Sequence, residues 1–128
     1  MARTDVHREM KEMLGEVLDF VDTIPDEFID AEWDVLKRLQ LGETLIPNKY
    51  KELIGLAIAG TTRCRYCALF HTEAAKLNGA TEAEIQEAVH LTKAVNGWST
   101  YINGMQVDYD DFKAQVGRIV EHIQATAA

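Results

Sequence analysis

The sequence contains few positive charges and no long apolar run, and both absences narrow what the protein can do. Its 128 residues include 13 lysines and arginines against 21 aspartates and glutamates, a net charge of −8. Nucleic acids and anionic membranes attract basic patches, so we expect neither as the main partner. No stretch approaches the roughly 18 apolar residues of a membrane span. The N-terminus, with Thr4, Asp5 and Arg8, lacks the apolar run of a signal peptide, so we expect a cytoplasmic protein.

Cysteine is also scarce, and the two cysteines present stand three positions apart as Cys64 and Cys67. A cytosolic chain whose only cysteines form a C-x-x-C motif is more often redox-active or metal-binding than held together by a structural disulfide. A c-type haem requires histidine directly after the second cysteine, where this chain has Ala68. An iron–sulfur cluster usually requires four cysteines. The motif therefore favours thiol chemistry or another kind of metal site.

Zinc is the metal alternative for this motif. Two cysteines and His71 would leave a fourth position open, as in catalytic zinc sites, and Glu52 or His90 could fill it. However, the sequence has no second C-x-x-C and no H-x-x-x-H. An inert buried thiol pair is also disfavoured, because apolar cores rarely need two thiols with a histidine in register. We therefore predict no bound metal and no bound cofactor.

Strand-like alternation is absent, and the apolar residues recur at helical spacing along the whole chain. Capping and breaking residues divide this pattern into predicted helices over 10–21, 28–39, 47–59, 63–78, 81–95, 98–105 and 112–123. The residues from 53 to 59 are apolar or glycine on every side, which predicts a fully buried helix. We predict an all-α fold, a single-domain helical bundle of about six or seven helices spanning residues 1–128.

The segment from Cys64 to His71 places three reactive side chains on one helical face. Cys64 and Cys67 are three positions apart, and Cys67 and His71 are four apart. Such a pair of thiols can close a disulfide. Cys64 lies in the first turn, where the helix dipole favours a thiolate. His71 is close enough to take a proton from Cys67, and a dithiol lets one sulfur attack a peroxide while the other resolves the sulfenic acid.

Glu52 is the candidate partner for this histidine. Its helical stripe contains Gly55 and Ala59, and such small residues let another helix approach closely. Twelve residues separate Glu52 from Cys64, enough for two helical turns and a sharp break before the cysteine helix folds back. A carboxylate beside His71 would orient the imidazole and support its charged form. A solvated glutamate among neighbouring lysines is the alternative, and spacing alone does not choose between them.

These residues resemble the alkylhydroperoxidase D (AhpD)-like branch of the carboxymuconolactone decarboxylase family over about residues 43–105. The matching segments are Lys51-Glu52-Leu53-Ile54, Leu56-Ala57-Ile58-Ala59, Cys64-x-x-Cys67-x-x-x-His71, Lys76-x-x-Gly79-Ala80-Thr81 and Glu84-Ile85. A bare C-x-x-C is a weak signal, whereas this extended combination with its upstream glutamate is specific.

The resemblance implies an all-helical protein that assembles into homotrimers or hexamers and acts as a thiol-dependent peroxidase or disulfide reductase. It implies that Cys67 attacks the hydroperoxide, that Cys64 resolves the product, and that Glu52 and His71 relay protons. It further implies reduction by a dithiol-bearing protein, for which a protein-bound dihydrolipoyl group can serve. The decarboxylase branch lacks the C-x-x-C, so lactone decarboxylation is not expected.

Tyr66 is one departure from the family pattern. Some AhpD proteins carry a second relay histidine at this position, and a phenol, which titrates near 10, is a poorer proton shuttle at neutral pH. Slow peroxidase turnover, or a different natural substrate, would follow. A non-catalytic redox sensor or binding protein of the same fold is therefore the alternative to the enzyme.

Overall fold

The structure, a computed structural model, describes residues 2–127. These residues form seven α-helices and no strand: α1 (Arg3–Leu14), α2 (Asp19–Asp22), α3 (Asp26–Val35), α4 (Asn48–Thr62), α5 (Arg65–Leu77), α6 (Glu82–Gly104) and α7 (Tyr109–Ala127). Helix α3 continues directly into a π-helical segment, Leu36–Leu41. The predicted all-α fold is confirmed. None of the helices in the described range is long and apolar enough to cross a membrane.

Two predicted helix boundaries in the N-terminal half of the chain were wrong. The pattern over 10–21 does not form one helix, because Gly15 adopts a left-handed conformation with φ 79° and ends α1. Helix α4 does not stop at Gly60. It continues to Thr62, and the hydroxyls of Thr61 and Thr62 donate back to carbonyls one turn earlier.

The predicted break at Asn96-Gly97 was also wrong, since α6 runs without interruption from Glu82 to Gly104. A single glycine costs a helix only about 1 kcal/mol, which the rest of this long helix offsets. The N-terminal capping box of α6 is confirmed. The Thr81 hydroxyl accepts the Glu84 N–H, and the Glu84 carboxylate accepts the Thr81 N–H.

Two clusters of buried residues hold the described chain together. The N-terminal cluster consists of Val6, Met10, Val21, Ile29 and Trp33. The second cluster joins α4, α5 and α6 and consists of Leu56, Ala75, Ala80 and Ile85. Helix α4 packs most extensively against α5 and also touches the π-helical segment. Helix α4 therefore positions both the cysteine helix, α5, and the π-helical segment.

Much apolar surface stays uncovered in the single chain. No other helix of residues 2–127 packs along α7, and its apolar residues are exposed: Phe112, Val116, Ile119, Val120 and Ile123. The prediction that residues 53–59 are buried on every side was wrong for the single chain. Leu56 is buried, but Ile54 and Ile58 are about half exposed. Trp98 and Tyr101 are likewise exposed, so they are not core residues.

Candidate active site

Cys64 lies at the junction between α4 and α5. Helix α4 ends at Arg63, which takes a left-handed conformation with φ 58°, and Cys64 then extends the chain with φ −95° and ψ 108°. Cys64 is therefore the N-cap of α5 rather than a first-turn residue. Its sulfur accepts a hydrogen bond from the backbone N–H of Cys67 at 3.3 Å. The α5 helix begins with a cysteine in the place where a capping serine is common.

The two thiols differ in acidity because of this cap. The pKa of Cys64 is lowered, first by the hydrogen bond from the Cys67 backbone N–H and then by the bond from the Cys67 thiol. The pKa of Cys67 is raised, chiefly because its S–H donates to Cys64 and secondly because it is partly desolvated. Cys64 therefore loses its proton before Cys67, and the Cys67 thiol donates a hydrogen bond to the Cys64 sulfur.

This difference predicts the pH dependence of thiol alkylation. The pKa of an ordinary cysteine is about 8.5. Because the pKa of Cys64 is lowered, its thiolate forms at lower pH than that of an ordinary cysteine. We expect iodoacetamide to label Cys64 faster than Cys67 at pH 7, as mapped by peptide mass spectrometry. The Cys67→Ala variant, which loses one hydrogen-bond donor, should shift the Cys64 profile to higher pH. A Cys64 midpoint at or above the ordinary value in the wild type would contradict this assignment.

His71 and Glu52 meet across the contact between α5 and α4. The Nδ1 atom of His71 lies 2.6 Å from Oε2 of Glu52, and Glu52 is only 4% exposed. The alternative of a solvated glutamate is therefore wrong. Because a carboxylate only accepts hydrogen bonds, Nδ1–H donates to Glu52 and leaves Nε2 as the nitrogen that can exchange protons. The carboxylate also stabilises the imidazolium that forms when Nε2 takes up a proton.

Gly55 provides the space for the histidine ring. A Cβ atom at this position would lie 2.5 Å from Nδ1 and 2.7 Å from Cγ of His71. Any side chain would therefore displace the imidazole from α4. The small-residue stripe of α4 was predicted to admit a neighbouring helix, and the structure identifies the group admitted as the ring of His71.

Two cavities share Cys67 and His71 among their lining residues. One, of about 650 Å³, is bounded largely by apolar residues: Leu39, Leu45, Ile46, Ile54 and Ile58. The other, of about 470 Å³, lies between α1, α2, the π-helical segment and α5 and is lined by Leu14, Leu18, Phe20, Leu36, Leu41, Tyr66 and Phe70. Of the described residues, Gln40, Cys67 and His71 line both cavities, and Cys64 lines neither. Cys67 is therefore the sulfur that lines these partly open, mainly apolar spaces together with His71.

Two neighbours of the site did not emerge from the sequence. Gln40 comes from the π-helical segment, and Lys51 from α4 holds the end of that segment by two hydrogen bonds to backbone carbonyls. No motif identifies Gln40, because its position depends on how that segment packs against α4. Lys51 belongs to the family-like segment Lys51-Glu52-Leu53-Ile54, but that match does not predict its two hydrogen bonds.

Tyr66, at the position of the missing relay histidine, is 72% exposed and lines only the smaller cavity. Its ring contacts the guanidinium of Arg65 at 5.2 Å. Within the described chain, no three histidine, cysteine, aspartate or glutamate side chains converge as a metal site would require.

Comparison with known proteins identifies the family of the chain. The profile of the carboxymuconolactone decarboxylase family matches residues 25–108. The chain is 27% identical over 88 residues to "uncharacterized protein 4 in cox locus" of Paracoccus denitrificans, which covers 69% of this chain and 75% of that protein. The fold of the present chain matches the crystal structure of the alkylhydroperoxidase AhpD core of Rhodospirillum rubrum with a TM-score of 0.74. That match covers 87% of this chain and 85% of the other at 23% identity. The chain belongs to the carboxymuconolactone decarboxylase family and has the AhpD fold.

Proposed function

We propose that this protein is a thiol-dependent peroxidase that reduces organic hydroperoxides through a Cys64–Cys67 dithiol–disulfide cycle. The observation that carries the proposal is that Cys67 and His71 line both of the largely apolar cavities, while His71 is bonded to Glu52. An apolar space with a few convergent polar groups suits a substrate with an organic tail and one reactive polar end.

The first chemical step needs a thiolate on Cys67, the less acidic of the two thiols. When Cys64 is ionised, the proton of Cys67 passes along its hydrogen bond to the Cys64 sulfur, which leaves a thiolate on Cys67. This thiolate attacks the terminal oxygen of the hydroperoxide, the O–O bond breaks, and the alkoxide leaves. His71, protonated at Nε2 and held by Glu52, gives the alkoxide its proton, so the products are an alcohol and Cys67 sulfenic acid.

The second step closes the disulfide. The proton of Cys64 passes to the now neutral His71, and the Cys64 thiolate attacks the Cys67 sulfur. Hydroxide leaves and takes the proton from His71 to become water. A dithiol co-substrate then reduces the disulfide by thiol–disulfide exchange, so that one hydroperoxide consumes two thiols and yields one alcohol, one water and one new disulfide. A protein-bound dihydrolipoyl group is a suitable reductant of this class.

The uncovered apolar surfaces support assembly with other copies of the chain. The exposed face of α7 has no covering helix in residues 2–127. A separate apolar groove of about 560 Å³ runs between α4 and α6 and includes Ile54, Ile58, Leu91 and Val95. Burial of such faces in a homo-oligomer would remove a large apolar area from water. A single-chain mass in analytical ultracentrifugation would contradict this proposal.

The experiment that tests the function is a turnover assay with cumene hydroperoxide and a small dithiol. We expect many equivalents of cumyl alcohol per chain and, when the dithiol is withheld, a Cys64–Cys67 disulfide found by mass spectrometry. A redox sensor would instead oxidise once and show no recycling with excess dithiol. No alcohol above the uncatalysed background, with both thiols still reduced, would overturn the peroxidase proposal.

A further inference from the structure

We propose that Gln40 donates a hydrogen bond from its side-chain amide to the leaving oxygen of the hydroperoxide. This inference rests on the proposed peroxidase function. Gln40, Cys67 and His71 are the three described residues that line both cavities. A hydroperoxide that reaches Cys67 from either cavity therefore passes both Gln40 and His71.

The backbone on both sides of Gln40 is held in place. The Lys51 ammonium donates to the carbonyl of Leu39 at 2.6 Å and to the carbonyl of Gly42 at 2.9 Å. Gly42 is required there by close packing, since an added Cβ would lie 2.8 Å from the backbone oxygen of Arg38. The turn that carries Gln40 is thus bonded to α4 through Lys51, the residue that precedes Glu52.

The helical geometry at this point is also unusual. Residues Leu36–Leu41 form a π-helical segment directly after α3. Such segments are rare and occur frequently at functional sites, because the wider turn changes the direction of the side chains that follow it. Here the segment ends with Gln40 and Leu41 at the cavity walls.

The chemistry of O–O cleavage explains the use of an amide. Negative charge develops on the departing oxygen before His71 transfers its proton, and a donor aimed at that oxygen stabilises the transition state more than the bound substrate. The amide has two N–H donors and does not titrate. The smaller cavity offers Tyr66 as a further polar group, but Tyr66 does not line the larger cavity, whereas Gln40, which is also exposed, lines both. Gln40 therefore supplies a donor whose contribution does not depend on pH.

The test compares Gln40→Leu with the matched Gln86→Leu variant, whose glutamine is exposed on α6 and lines neither cavity. We expect Gln40→Leu to lower the rate constant for thiol oxidation by cumene hydroperoxide about 10²-fold, the loss typical of one oxyanion donor. The loss should be the same factor at every pH, because the lost group does not titrate. Alkylation of Cys64 by iodoacetamide, which breaks no O–O bond, should keep the wild-type rate.

The possible outcomes separate the two proposals. If the wild type oxidises and turns over but Gln40→Leu matches Gln86→Leu, this inference is overturned and the peroxidase proposal stands. If the wild type itself shows no reaction with hydroperoxide, the peroxidase proposal fails first. A loss in Gln40→Leu that extends equally to alkylation would mean that the substitution disturbs the thiols, and would also overturn the assigned role.

Discussion

Cys67→Ser is expected to abolish hydroperoxide consumption, because the serine hydroxyl is not a nucleophile at neutral pH without strong activation. The substitution changes one atom in a half-buried side chain and keeps the backbone N–H that Cys64 caps. The fold should therefore persist, as measured by circular dichroism. Steady-state alcohol production with excess dithiol should fall to the uncatalysed background.

Cys64→Ser is the informative partner of this variant. Serine is a favoured N-cap residue, so its hydroxyl should still accept the Cys67 N–H and preserve the start of α5. With no sulfur at position 64, Cys67 should lose its proton to His71, react once with hydroperoxide and stop as a sulfenic acid, which dimedone traps in a one-to-one adduct. The opposite pattern, with a trapped sulfenic acid on Cys64 in the Cys67→Ser variant, would assign the attack to the more acidic sulfur instead.

Gly55→Ala is expected to lower kcat/KM for the hydroperoxide by about 10²-fold, the loss associated with a misplacement of about 1 Å in a reacting group. The added Cβ would lie 2.5 Å from His71 Nδ1 and 2.7 Å from Cγ, whereas carbon contacts prefer 3.5 Å or more. Rotation of the ring cannot relieve the contact with Cγ, because this atom is the ring's point of attachment. The imidazole must therefore move away from α4, and its bond to Glu52 must lengthen or break.

Gly97→Ala is the matched control for this prediction. Gly97 lies inside α6, and a Cβ there would meet no described atom within 4 Å. Alanine within a helix is favoured over glycine by about 1 kcal/mol, so this variant should keep full activity and unfold at the same or a higher temperature. Wild-type kcat/KM in a folded Gly55→Ala protein would show that turnover does not need His71 against α4.

Local spacing predicted the cysteine helix, whereas it left the partnership of Glu52 with His71 open, and only the resemblance to the family implied that partnership. Helical positions three and four apart face the same way whatever the rest of the fold does, and a glycine stripe signals a close helix contact. The helix ends were less predictable. Gly15 breaks a helix whereas Gly97 does not, since the outcome depends on whether the backbone takes a positive φ.

Residue types and short-range periodicity were enough to predict the all-α class and the family motif with its two cysteines and its histidine. The packing of the helices was needed to show that Cys64 is a cap, that Glu52 is buried, and that Gln40 lines two cavities together with Cys67 and His71. These features arise where α4 packs against α5 and against the π-helical segment. Contacts between elements distant in sequence depend on packing, which local patterns do not encode.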